Sequence, residues 1–96
     1  MNLPLTITPK AQEKIIEIIQ NKKIGEEYGL RIINKGIGCN QNLHIGFDKI
    51  KENDEVFFEN NIKIIIQKIQ LIYVINSVLD YQIDIKNNEE GFVFNK

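Results

Sequence analysis

The chain has 96 residues, and its 12 Lys+Arg against 13 Asp+Glu give a formal net charge of −1 at pH 7. That balance excludes a polybasic nucleic-acid arm or an acidic tail as its main business. A chain of this length buries roughly 60–70% of its unfolded surface, enough for one core and too little for two, so a single domain over residues 1–96 is expected. The apolar share of 43% and charged share of 26% are those of a globular protein, and one cysteine, Cys39, excludes an intrachain disulfide framework.

The amino terminus has no basic region leading into a continuous apolar stretch, so no secretory signal is read and a cytoplasmic location is expected. Thr8-Pro9 starts a helix, because the threonine side chain accepts from an orphan amide and proline brings no amide that needs a partner. The spacing predicts one amphipathic helix over 9–22 with Ala11, Ile15, Ile18 and Ile19 on its buried face. Gly25 with Glu26-Glu27 suits its exit, and residues 28–33 read as a strand with Leu30 and Ile32 on one side.

Residues 34–42 are rich in Gly and Asn, which tolerate positive φ, and predict a loop that contains Cys39. Residues 43–47 predict the next strand, and 48–55 carry too much charge to be core. Val56-Phe57-Phe58 and Ile62 to Ile66 read as a hairpin turning at Asn60-Asn61. The apolar spacing over 67–75 permits a short helix. Residues 79–85 alternate as a strand, which places Leu79, Tyr81, Ile83 and Ile85 inward and Asp80 and Asp84 outward as solvated carboxylates. After a turn at 87–90, residues 91–94 form a last strand. Lys63, Gln67, Lys68, Gln70 and Asn76 interrupt the greasiest region, 62–85, so no membrane span is expected. The order α-β-β-β-β-α-β-β indicates an α+β domain of mixed or antiparallel strands.

Several chemistries fail on residue grounds. Gly36-Ile37-Gly38 is followed by Gln41 where a dinucleotide fingerprint needs a third glycine, and its loop leads into a strand. Cys39 and His44 have no orienting third group for nucleophilic catalysis, so no enzyme is read. Arg31 is the one arginine and the lysines are scattered, so nucleic-acid binding is unsupported. In a reducing compartment Cys39 is either a free thiol open to metal or a small buried hydrophobe.

The ordered features resemble the HesB-like family, the A-type iron–sulfur carriers of IscA/SufA type. The likeness runs from Ile7-Thr-Pro-Lys-Ala11 through Tyr28-Gly-Leu-Arg31 and Gly36-Ile-Gly-Cys39 to Asp54-Glu-Val-Phe-Phe-Glu59, Val78-Leu-Asp-Tyr81 and Gly91-Phe-Val-Phe94. It implies a compact β-rich sandwich with flanking helices, and it matches Cys39 to the first of three family cysteines. The other two, a Cys-Gly-Cys tail beyond the last strand, have no counterpart up to Lys96. His44 stands where the family has an aromatic, and Asn76 stands at a family glycine, where it can supply a left-handed turn. The cargo this implies is iron or an iron–sulfur cluster held by Cys39, with His44 as a further metal-ligand candidate, since imidazole replaces thiolate at some cluster irons. The expected partners are iron–sulfur assembly or recipient proteins and, through a homo-oligomer, a second copy of the chain. The alternative is a cluster-free member that keeps the scaffold as an interaction module.

Overall fold

The computed structural model describes residues 2–35 and 43–95. Its elements are β1 (Thr6–Ile7), α1 (Pro9–Asn21), β2 (Tyr28–Asn34), β3 (Leu43–Lys49), β4 (Asp54–Glu59), β5 (Ile62–Gln67), a 3-10 turn (Lys68–Gln70), α2 (Leu71–Val74), β6 (Val78–Asp84) and β7 (Glu89–Asn95). Two mixed sheets result: β1-β6-β7, with β1 parallel to β6, and β3-β2-β5-β4, with β2 parallel to β5. The expected α+β sandwich of mixed strands is therefore the fold, with β1 as the strand that two residues of sequence could not announce.

Local chemistry explains the element ends. The Thr8 hydroxyl oxygen accepts from Ala11 N at 3.2 Å and the hydroxyl donates to Asp80 Oδ1 at 2.7 Å, so one side chain caps α1 and pins it to β6. Asp80 is thus a structural tie and not a solvated carboxylate; the Thr8 hydroxyl, set against desolvation and helped by the Tyr81 amide, holds its pKa below the ordinary range. At the other end of α1 the left-handed residue is Lys23, at φ 51°, in place of the anticipated Gly25. Its turn lets Ile24 N donate back to Ile19 O at 3.0 Å, closing the helix. Asn60 and Asn61 stand at φ 48° and 69°, as a primed hairpin turn requires, and Asn76 at φ 64° makes the left-handed turn before β6.

The core joins Ala11 and Ile15 of α1 to Leu30 and Ile32 of β2, Phe57 of β4, Ile62, Ile64 and Ile66 of β5, and Leu79 and Tyr81 of β6. On α1 it is Ile16 and Ile19, with Ile18 left out, that pack against this core. The larger departure lies at the end of β6 and just beyond it, where Ile83 and Ile85 are 52% and 88% exposed. The inward placement expected for them therefore does not hold: neither joins the core, which on β6 ends at Tyr81.

A further feature closes the outer face of the four-stranded sheet. The chain leaves β3 beside Tyr28 and enters β4 beside Gln67, so residues 50–53 pass from one end of the sheet to the other across that face. Ile65 is fully buried there, and Gly29 leaves it room: a Cβ at Gly29 would lie 2.7 Å from Ile65 Cδ1.

Candidate functional site

The Cys39 connection springs from one end of the four-stranded sheet. Asn34 and Leu43 are register partners, so residues 35–42 depart from and return to adjacent strands at that end. Cys39 itself, and most of the loop expected over 34–42, lie outside the described residues. His44 is one residue into β3, opposite Ile33, and its side chain is exposed on the outer face. Asp54, opposite Gln67 at the start of β4, lies on the other edge of the four-stranded sheet from His44. Three strand spacings of ~4.8 Å separate the imidazole's strand from that carboxylate's strand. Among the described residues no group of three or more His, Cys, Asp or Glu side chains converges as a metal site.

Asp54 is in any case committed elsewhere. Arg31 donates through Nη1 to Asp54 Oδ1 at 2.9 Å and through Nη2 to Asp54 Oδ2 at 2.6 Å, a bidentate pair. The same guanidinium donates through Nε to Asp48 Oδ2 at 2.9 Å and through Nη2 to Lys49 O at 3.0 Å. Arg31 and Asp54 side chains are 12% and 1% exposed, so the clamp ties the Asp54 end of the 50–53 crossing to β2 out of water, while the Asp48 end, 34% exposed, stays partly in solvent. The Arg31 hydrogen bonds hold the Asp54 carboxyl below the ordinary carboxylate range against desolvation, and Lys51 N, 2.6 Å from Oδ2, adds to the effect. The Lys49 amide first, then Lys51, lowers Asp48 likewise. The charge over 48–55 had suggested a solvated stretch; Arg31, alone of its kind and set between Leu30 and Ile32, was the sign that part of that charge is paired and covered.

One further side chain reaches the end where the Cys39 connection begins. Gln70 Oε1 accepts from Asn34 N at 2.9 Å. Beside it, Ile69 and Ile72 are 72% and 70% exposed. A cleft of about 430 Å³, lined by Ile19, Ile24, Tyr28, Phe47, Phe58 and Lys63 among others, sits at the opposite end of β2. Six strand residues at ~3.3 Å each separate it by roughly 20 Å from the Asn34 end of β2.

The fold class is shared with solved structures. A solution NMR structure of a protein from Aquifex aeolicus superposes with a TM-score of 0.74 at 31% identity, covering 100% of this chain and 94% of that one. The crystal structure of IscA with the [2Fe-2S] cluster superposes at 0.69 with 16% identity, covering 96% and 84%, and at that identity it speaks for the fold alone. In sequence, the iron-binding protein IscA of Xenorhabdus nematophila is 27% identical over 97% of this chain and 85% of its own length. The mouse mitochondrial iron-sulfur cluster assembly 1 homolog is 30% identical over 95% of this chain and 69% of its own length. The model of the iron-sulphur cluster biosynthesis family matches residues 3–95, and the chain belongs to that family. No helix among the described residues is long and apolar enough to cross a membrane.

Proposed function

We propose that the protein is an A-type carrier that holds iron or an iron–sulfur cluster as cargo through Cys39, the remaining donors coming from a second copy, from a partner's thiols or from small thiols. A cluster iron takes soft donors, usually thiolates, and Cys39 is the one thiol of residues 1–96. What supports the reading most is that Asn34 and Leu43, paired in register, root the Cys39-bearing connection on two strands whose inner residues are core. A thiol so rooted can accept and release cargo without the core rearranging. His44 belongs to the same strand as the connection's return and is a candidate fourth-donor type, its exposed side chain open to a metal shared with another molecule. The protein then acts as a carrier and not a catalyst, in the cytoplasm, between assembly and recipient proteins.

Because a thiol must lose its proton to ligate as thiolate, iron binding should strengthen as pH rises through the range where thiols ionise. The test is anaerobic reconstitution with iron and sulfide, followed by visible absorption across pH. Wild type should gain cluster absorption, Cys39→Ser should lose it, and a His44→Ala variant that binds as wild type does would remove His44 from the ligand set. Absence of absorption in wild type would sink the reading.

A second reading, an interaction module without cargo, draws on the exposed Ile69, Ile72 and Ile75 beside the Cys39 end. It predicts a partner complex that survives Cys39→Ser, with no iron in either component.

A further inference from the structure

β7 is an edge of the three-stranded sheet: it pairs with β6 along Glu89–Asn95 and with no other strand among the described residues. Which of its backbone groups face outward follows from the far side of β6. Thr6 N donates to Ser77 O and Thr8 N to Leu79 O, so Leu79 turns its backbone groups toward β1. In an antiparallel ladder the register partner of such a residue turns away as well, and partners alternate. Glu90, Phe92 and Phe94 therefore carry their N–H and C=O groups on the open edge. Sheet edges are ordinarily guarded by a proline, a bulge or a lysine, and the unbroken register of residues 89–95 has none of these.

The two faces beside this edge differ. Register sets Phe94, Phe92 and Glu90 beside Leu79, Tyr81 and the half-exposed Ile83. On the other face Val93, Gly91 and Glu89 stand opposite Asp80, Gln82 and Asp84. Asp84 and Glu89 are thus directly opposed, a like-charge pair that weakens the hairpin. Asp84 accepts only from the neutral Asn87 backbone and side-chain amides, and no cationic side chain among the described residues pairs with either carboxylate. Gly91 leaves the neighbouring surface open, with nothing within 4 Å of where a Cβ would stand.

We propose that the open edge of β7 docks an extended segment of a partner protein in which apolar residues alternate with lysine or arginine. Running antiparallel to β7, that segment takes up the backbone groups of Glu90, Phe92 and Phe94. Its apolar residues lie on the Phe92 and Phe94 side, and its cations lie on the Gly91 side, within reach of the opposed Asp84 and Glu89. Charge decides against a second copy as the occupant: residues 89–95 hold no lysine or arginine, so a second β7 brings no cation to that pair. The inference is independent of the reading of Cys39.

The probe is the peptide Val-Thr-Val-Lys-Val-Lys, blocked at both ends and added to the isotope-labelled full chain, with amide shifts and hydrogen exchange as the readout. The Glu90, Phe92 and Phe94 amides should shift and exchange more slowly, with half-saturation below about 5 mM peptide. Glutamate in place of both peptide lysines should weaken binding by about tenfold or more, because it adds like charge beside Asp84 and Glu89. Methylating the nitrogen of the second valine, which donates to Phe92, should weaken it by a similar factor, whereas methylating the first lysine nitrogen, which faces away, should change little. In the protein, Glu89→Lys relieves the opposition to Asp84, so it should unfold no earlier than wild type while binding the peptide about three- to tenfold more weakly. No shift at about 5 mM, or equal affinity for the lysine and glutamate peptides, would overturn the inference. Protection of the same three amides that grows with protein concentration alone would overturn it too, by giving the edge to a second copy.

Discussion

Arg31 and Gln70 each fasten a distant segment to β2, and they do so with unequal force. Arg31 makes four charge-assisted or carbonyl hydrogen bonds to Asp48, Lys49 and Asp54, two of them a bidentate pair, and locks the 50–53 crossing against the outer face of the sheet. Gln70 makes one neutral bond, to Asn34, at the root of the connection that carries Cys39. The difference separates two tasks within one sheet. A charged, largely buried Arg31–Asp54 pair secures the fold at Arg31, while at the Asn34 end the described residues show strand register and the Gln70 amide, next to isoleucines that face outward.

Removing the strong tie should give the largest effect. Arg31→Met leaves Asp54 buried without its partner and should cost about 3–5 kcal/mol in urea unfolding, with iron bound per folded molecule unchanged. If iron binding collapsed in the folded fraction, the two regions would not be separate. The pH profile sharpens the same contrast. Because the folded Asp54 pKa lies below its unfolded value, its contribution is complete above about pH 5 and is lost as the pH falls through the lower folded value, so wild type should destabilise in acid. Arg31→Met should flatten that acid limb, as followed by thermal midpoint against pH.

Smaller perturbations probe the packing around the clamp and the turn beyond Gln70. Gly29→Ala would place a methyl 2.7 Å from Cδ1 of the fully buried Ile65 beneath the crossing, and should cost about 1–3 kcal/mol by overpacking. Asn76→Val should cost about 1–2 kcal/mol because a β-branched residue resists the left-handed turn at φ 64°, whereas Asn76→Gly should be nearly neutral. Ser77→Ala should fall within about 1 kcal/mol of wild type, on the stabilising side, because the Ser77 hydroxyl is buried without a hydrogen-bond partner among the described residues. Denaturant unfolding of the three variants ranks them directly.

Much of this was written locally. Thr8-Pro9 fixed the start of α1, Asn60-Asn61 turned the hairpin they were expected to turn, and Asn76 took the left-handed conformation that a family glycine suggested. Where a feature depended on how far the body extends, alternation fell short: Ile83 and Ile85 follow the inward rhythm of Leu79 and Tyr81 but run beyond the core. On α1, Ile16 and not Ile18 joins Ile19 against the core, a choice the helical spacing alone did not make. The Arg31–Asp54 pair was harder still, since it follows from the parallel pairing of β2 with β5, strands 34 positions apart in register, which no local pattern encodes. Gln70 was hidden for the same reason: in sequence it interrupts an apolar run, and only the fold brings it to Asn34. The candidate ligand Cys39 was legible through family resemblance, because a lone cysteine in a Gly/Asn-rich stretch carries no metal signature of its own.

The separation of fold from cargo chemistry is tested most directly by iron and acid-labile sulfide content after anaerobic reconstitution of wild type and Cys39→Ser, each shown to unfold at the same midpoint. The account predicts iron and sulfide with wild type and neither with Cys39→Ser. Equal iron and sulfide in the two proteins would contradict it.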